Sequence, residues 1–222
     1  SRENDRTFSW TWNNILTYDK TLGEHHFNLL AGQEAYSYRY DVLQASRSNM
    51  ALPDFPELAV GSLVTGGTGY RVNYSLVGYF LNAQYDYQSK YFFSGSYRRD
   101  GSSRFAPETR WGNFWSVGAS WRIDREDFMV ATSDWLSALT LKVSYGAQGN
   151  DNLGTYYASS GLYSVVSNNG ENALVSDRLA TPKLKWETNL NFNAGIDFSL
   201  FNNRFSGSFD FFQRRSKDLL YS

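Results

Sequence analysis

Apolar and polar residues alternate with period two along most of the chain. The alternation falls into about eight segments, each near the roughly 9–11 residues a tilted strand needs to cross a bilayer. In the first, Phe8, Trp10, Trp12, Leu16 and Tyr18 share one face, and Thr7, Ser9, Thr11, Asn13 and Thr17 share the other. The second sets Phe27, Leu29, Ala31 and Ala35 against Asn28, Gly32 and Glu34, then runs on through Tyr36-Ser37-Tyr38-Arg39-Tyr40. The third sets Val77, Tyr79, Leu81, Ala83 and Tyr85 against Gly78, Asn82, Gln84 and Asp86, and a tight Gln88-Ser89-Lys90 turn leads to the fourth, with Tyr91, Phe93, Gly95 and Tyr97. Trp115, Val117, Ala119, Trp121 and Ile123 mark the fifth, and Leu139, Leu141, Val143 and Tyr145 the sixth. The last two form a hairpin about Asn202-Asn203, with Leu190, Phe192, Ala194, Ile196, Phe198 and Leu200 in one arm and Phe205, Gly207, Phe209 and Phe211 in the other. Successive strand side chains point to opposite faces, so each segment has one apolar face and one polar face.

A soluble β-sandwich also alternates, and two further features favour a membrane. Aromatic residues gather at strand ends: Trp10, Trp12, Trp111, Trp115, Tyr145 and Trp186 at one, Tyr18, Tyr85, Tyr87, Tyr91, Phe198 and Phe205 at the other. Interfacial girdles have this form, because an amphipathic ring suits both headgroup and hydrocarbon. Connections also alternate in length: 19–24, 87–90 and 201–204 are brief, whereas 41–70, 98–110 and 147–183 are extended. Short periplasmic turns and long outer loops characterise outer-membrane barrels. The longer link 124–137 falls on the short-turn side and reads as a helical turn at the periplasmic rim. Both chain ends then fall on the outer side, as expected of a piece cut within two outer loops. The fold class predicted is all-β, antiparallel transmembrane barrel strands, in a single region spanning 1–222.

Composition agrees. Aromatic residues make up 18 % of the chain and charged residues 19 %, with only 4 Pro. The formal net charge of −1 offers no source for the phosphate-neutralising attraction behind nucleic-acid binding. Zero cysteines exclude disulfides, thiolate metal sites and cysteine nucleophiles. A mean hydropathy of −0.50 suits a soluble protein, yet barrel strands escape that inference because only every second residue meets lipid. The N-terminal Ser1-Arg2-Glu3-Asn4-Asp5 has no apolar h-region, so any export signal is expected to be removed or to lie outside this sequence.

Several segments together resemble the SusC/RagA family of TonB-dependent outer-membrane transporters. The most specific runs from Tyr91 through Arg98-Arg99-Asp100-Gly101-Ser102-Ser103-Arg104-Phe105, followed by Arg110-Trp111-Gly112-Asn113-Phe114-Trp115 and on to Trp121-Arg122-Ile123. Leu141 to Asn150, Leu184-Lys185-Trp186-Glu187-Thr188, Phe201-Asn202-Asn203-Arg204 and Lys217-Asp218-Leu219-Leu220 look like the strands and turns that follow. Trp115 stands where the family more often has Pro. The resemblance covers 70–222 well. It implies a barrel of about 22 strands, a plug and a TonB box beyond this stretch, and uptake of oligosaccharide or peptide with a SusD-like surface lipoprotein. Localisation would be the outer membrane of a Gram-negative bacterium, in contact with membrane lipid, with TonB engaged through regions outside this sequence. Two other readings keep a place: a complete eight-stranded barrel with an anchoring or adhesion role, and a soluble carbohydrate-binding sandwich.

No nucleophile–base arrangement accompanies the carboxylates, so no catalytic residue, cofactor or metal is expected, and the chain reads as no enzyme. Possible substrate or partner contacts are Arg98 and Asp100, whose charges could clamp an anionic ligand, and Tyr156, Tyr157 and Tyr163, whose rings could stack on sugars. Arg98 and Asp100 equally suit a loop whose own ion pairs hold its shape. His25 and His26 are the only histidines and, being adjacent on a strand, point to opposite faces, so they cannot chelate one metal. Gly66-Gly67-Thr68-Gly69 reads as a flexible outer loop, lacking the lysine of a phosphate-binding loop. Gln148-Gly149-Asn150-Asp151-Asn152 could offer Ca²⁺ oxygen ligands but matches no EF-hand spacing.

Overall fold

The computed structural model describes residues 1–52, 54 and 57–219, with the side chain of Asn168 left aside. Ten strands follow in chain order: β1 (Arg2–Leu22), β2 (His25–Met50), β3 (Gly61–Tyr87), β4 (Tyr91–Ser102), β5 (Trp111–Arg122), β6 (Leu136–Asn150), β7 (Leu162–Asn168), β8 (Glu171–Arg178), β9 (Glu187–Leu200) and β10 (Phe205–Lys217). Eight of them form one antiparallel sheet in the order β1-β2-β3-β4-β5-β6-β9-β10, and β7 pairs only with β8. The eight predicted segments are those eight strands. Because β1 and β10 each have a single neighbour, the sheet is open, and the closed eight-stranded barrel is not formed.

The register sorts the side chains into two continuous faces. Tyr18, Leu29, Ala83, Gly95, Val117, Tyr145 and Phe192 lie opposite one another across β1 to β9, and His25, Tyr87, Tyr91, Trp121, Leu141, Ile196 and Phe209 do so across β2 to β10. The intervening row starts with Lys20 on β1 and then holds Phe27, Tyr85, Phe93, Ala119, Val143, Ala194 and Phe211, so this face is apolar from β2 to β10. Along β3 this face runs from Val77 to Tyr87, and near its upper end the row through Tyr79 carries Asn14, Gln33, Arg99 and Asn113. That span is about 34 Å at about 3.4 Å per residue, and a tilt of about 45° reduces it to about 24 Å of height. Outer-membrane barrels carry an outward apolar band roughly 25 Å tall. A slip of one residue would turn this band inward, which makes the register strongly specified.

Rings line the lower margin of the band. The His25 and Tyr87 rings lie 4.8 Å apart, and Tyr91 stacks with Tyr87 and Trp121 at 6.3 Å each. At the upper margin the Arg99 guanidinium sits 5.2 Å above the Trp111 ring. Trp186, predicted for a girdle, is instead buried among loop residues on the opposite face, at 8 % exposure.

Turns behave as the sequence suggests. Gln88 and Ser89 take left-handed backbone (φ 55° and 51°), as do Phe201, Asn202 and Asn203, closing tight reversals. The rim segment forms two short 3-10 turns, Ile123–Arg125 and Asp127–Thr132. The extended segments differ from their reading as loops. Ala45, Gln44 and Leu43 pair with Gly67, Thr68 and Gly69, so most of 41–70 is a projecting hairpin arm with an irregularity at Ser46/Arg47. The flexible loop expected at Gly66 to Gly69 is therefore paired strand. Arg98 to Ser102 belong to β4, and the interior of 147–183 folds into the β7–β8 hairpin. Alternation in these stretches is masked by Gly, Ser and Asn, whose small polar side chains look like loop chemistry. Pro53, Phe55, Pro56 and Leu220 to Ser222 lie outside the described residues.

Candidate functional site: the inward wall and its folded loops

The face opposite the apolar band carries hydroxyls, amides and glycines. Ser96 and Ser116 meet across β4 and β5 at 2.6 Å, Asn193 donates to Ser144 at 3.3 Å, and Asn191 donates to Gln148 at 3.4 Å. Asn189 is buried, and its carbonyl oxygen accepts from Arg214 at 3.2 Å and Ser216 at 2.5 Å. Small residues dominate the floor, leaving a recess of about 510 Å³ lined by Ser96, Arg98, Phe114, Ser144, Gly146 and Asn191. Its size falls in the range of roughly 300–1,000 Å³ typical of ligand sites, and its walls combine donors, acceptors and one phenyl ring.

Arg98 and Asp100 stand at the edge of this recess, on the inward side of β4. The Arg98 Nε donates to both Asp100 carboxylate oxygens at 2.7 and 2.8 Å, and its Nη2 donates to Glu34 at 3.1 Å. With two carboxylates on one guanidinium, the cation is already matched, so this pair ties β4 to β2 more than it offers a bare charge to an anion.

Above the recess, loops fold down onto the wall. Phe105, at 1 % exposure, packs against Trp186 with ring centres 5.4 Å apart, and Phe114 meets the other side of Trp186 at 5.2 Å. The Trp186 indole N–H donates to the Arg110 carbonyl at 2.8 Å, and the Thr109 hydroxyl donates to the Leu184 carbonyl at 2.7 Å. Gly112 and Gly149 lie beneath the Phe114 ring, and a Cβ on either would collide with it. These two glycines exist for close approach and not for turning.

A second lock surrounds Arg104. Its guanidinium lies 4.7 Å from the Tyr74 ring and 4.9 Å from the Tyr156 ring, and Nη1 donates to the Asp151 carbonyl at 2.7 Å. Tyr74 and Ser102 both donate to the Asp151 carboxylate, at 2.8 and 2.7 Å. Tyr156 also stacks on Tyr38 at 5.9 Å. The Tyr157 hydroxyl accepts from the Asn73 N–H at 3.0 Å. Tyr156 and Tyr157 are thus held in the loop's own packing, whereas Tyr163 stands 67 % exposed on β7. The five residues singled out from sequence divide into three places: Arg98 and Asp100 in the recess, Tyr156 and Tyr157 in the lock, Tyr163 on the projecting hairpin. Sequence reasoning did not foresee that Arg104 and Asp151 meet, and it missed the Phe105–Phe114–Trp186 cluster. A signal was present in the apolar Phe105, Phe114 and Trp186, which interrupt otherwise polar stretches. The Asp151 carboxylate offered to Ca²⁺ in that reading is engaged by two hydroxyls.

At the opposite rim, Glu126 accepts from the Tyr91 hydroxyl, from the Trp121 indole at 2.9 Å and from Lys90 at 3.4 Å. The Tyr91 hydrogen bond, then that of Trp121, holds the Glu126 carboxyl below its ordinary value. Burial raises the Asp124 carboxyl, but hydrogen bonds from Arg122 and the Leu139 N–H outweigh it and hold the group below its usual range. His25 contacts Tyr85 and His26 contacts Asp19, on opposite faces as expected.

An apolar band outside, a polar wall inside and loops folded over one end define a membrane-spanning β-barrel wall. The whole chain, residues 1–222, matches the family described as TonB dependent receptor-like, beta-barrel, and the protein belongs to that family. It is 31 % identical over 223 residues to the TonB-dependent receptor SusC of Bacteroides thetaiotaomicron, a match spanning 97 % of this chain and 22 % of SusC. TonB-dependent receptor P3 of Formosa agariphila is 32 % identical over 213 residues, covering 94 % of this chain and 21 % of that protein. Among solved structures, the RagAB peptide transporter superposes with a TM-score of 0.91 at 29 % identity, covering 98 % of this chain and 24 % of the matched one. The chain therefore spans about a fifth of the length of the curated relatives it matches. The SusC/RagA resemblance read from Arg98 to Phe105 and Trp111 to Trp121 stands, and proteins of the family are outer-membrane receptors and transporters.

Proposed function

We propose that this chain builds part of the wall of an outer-membrane, TonB-dependent importer that takes up oligosaccharide or peptide and performs no chemistry on it. The observation that carries this reading is the inward face of hydroxyls and amides, with Ser96 bonded to Ser116 and Asn193 to Ser144, backed by the outward apolar rows. Such a face supplies donors and acceptors to a polar chain passing along it, while the lipid side stays dry. TonB would act through parts of the protein outside this stretch. A SusD-like lipoprotein would seat on the outer loops, and the β7–β8 hairpin, with Tyr163, Val165 and Leu174 exposed on one face, is the segment assigned to that contact.

The test is uptake by the full-length protein in its own outer membrane, with labelled maltooligosaccharides and labelled peptides offered separately. Uptake of one class that stops when TonB is removed, and that weakens when Asn191 and Asn193 are replaced by Ala, is the expected result. Uptake of neither class, or uptake indifferent to TonB, would overturn the reading. Co-purification of a surface lipoprotein, lost on deletion of residues 162–178, would support the hairpin assignment; retention after that deletion would remove it.

A further inference from the structure

On the outward face, Ala119, Val143 and Ala194 share one register row, and the same row holds Phe93 on one side and Phe211 on the other. Short side chains between tall ones leave a groove of about 660 Å³. Its lining is mostly apolar and also takes in Ser120, Lys142 and Asp210, the last two paired with each other at 3.0 Å, so a polar occupant would leave most of its donors and acceptors unmatched. Its lining includes Tyr91 and Trp121, both of which donate to Glu126 at the periplasmic rim. Next to Glu126, Arg125 is exposed, donates to the Ser89 carbonyl at 3.3 Å, and pairs with no carboxylate among the described residues.

We propose that this groove is a specific lipid site: one acyl chain of a periplasmic-leaflet phospholipid lies over Ala119, Val143 and Ala194, and its phosphate is held by Arg125. The inference rests on the reading of the outward rows as lipid-facing. The groove is continuous with those rows, which makes a lipid tail its occupant in place of a protein segment. The Arg125 guanidinium, beside the Glu126 that holds Tyr91 and Trp121 and in no ion pair among the described residues, provides the complementary charge, since its planar fork matches two phosphate oxygens. Tyr91 and Trp121, fixed by Glu126, form the shoulder between tail and headgroup, where amphipathic rings are favoured.

The experiment uses the full-length protein purified in mild detergent, delipidated in stages, then exposed to phosphatidylglycerol vesicles and weighed by native mass spectrometry. One phospholipid should persist after the surrounding lipid is gone. Ala119→Phe with Ala194→Phe, which fills the groove, should cut its occupancy about tenfold, and the smaller Ala119→Leu should act in the same direction. Arg125→Gln should weaken retention about tenfold and abolish any preference for lipid bearing a phosphate over a phosphate-free diacylglycerol. Heat-modifiable migration of each variant on gels checks that the barrel has formed. Unchanged retention in the filled variants, or no lipid on the wild type, overturns the proposal while leaving the membrane reading intact. A protein that stays monodisperse without detergent would instead overturn the membrane reading itself.

Discussion

Trp186→Ala should open the folded loops without unfolding the wall. Trp186 is buried between Phe105 and Phe114 and donates its indole N–H to the Arg110 carbonyl. Truncating a buried Trp to Ala costs about 3–5 kcal/mol, a sum of lost burial and the cavity left behind. The elements joined by this ring are loop segments lying on a strand ladder that is otherwise complete, so the cost should fall on local opening. At about 1.4 kcal/mol per tenfold, local opening becomes about 10² to 4 × 10³ more frequent. Hydrogen exchange of the full-length protein in detergent reads this directly. The reporters are the Phe105, Thr109 and Leu184 amides, which bond within the loops to Ser102, Ala106 and Thr181. Controls are amides in the central β4–β5 ladder around Gly95 and Val117. Trp186→Phe, which keeps a ring but abandons the Arg110 carbonyl, should raise exchange only about fivefold. Unchanged loop exchange in the Ala variant, or an equal rise in the ladder, would refute the idea that the aromatic cluster latches the loops.

Other expectations follow from the same structure. Gly149→Val should displace the Phe114 ring and cost about 1–3 kcal/mol, lowering the denaturant midpoint of the folded barrel, because a Cβ there collides with that ring. Arg104→Met should raise proteolytic cleavage or exchange across 151–158 about tenfold or more, from two lost ring contacts of about 0.5–2 kcal/mol each and the lost bond to the Asp151 carbonyl. Lys at that position should not restore the lock, since an ammonium cannot span both rings and the carbonyl. The Glu126 carboxyl is held low in the folded protein by Tyr91 and Trp121. Its stabilisation of the rim is therefore full above the unfolded value of about 4.5 and is lost as pH falls through the folded value. Exchange of residues 123–135 should rise on acidification below that point in the wild type, and Glu126→Gln should reduce this dependence to the part contributed by Asp124, which is likewise held low.

The eight wall strands were legible because lipid on one side and water on the other force a strict two-residue period. Leu139, Leu141, Val143 and Tyr145 against Thr140, Lys142, Ser144 and Gly146 leave little room for another reading. The projecting arms were not legible for the complementary reason. Above the membrane both faces of a strand meet water, so Ser62 to Gly69 carries no alternation, and only the backbone ladder to β2 reveals it as strand. Inside the loops, Arg104 owes its role to partners at Tyr74, Asp151 and Tyr156, far apart in sequence, and no local pattern announces such a meeting. Trp186 misled because its neighbours suggest a strand end, while the fold turns it inward onto Phe105 and Phe114.

The most direct test of the central claim is a cysteine scan along β6. The sequence has no native cysteine in this stretch, so positions 139 to 146 can be spin-labelled singly in the full-length protein reconstituted in bilayers. Accessibility to oxygen, which concentrates in lipid, should be high at 139, 141, 143 and 145 and low at 140, 142, 144 and 146, with a water-soluble nickel quencher giving the opposite pattern. Equal access of the nickel reagent to both sets would contradict a wall with one face in lipid and one face in the lumen.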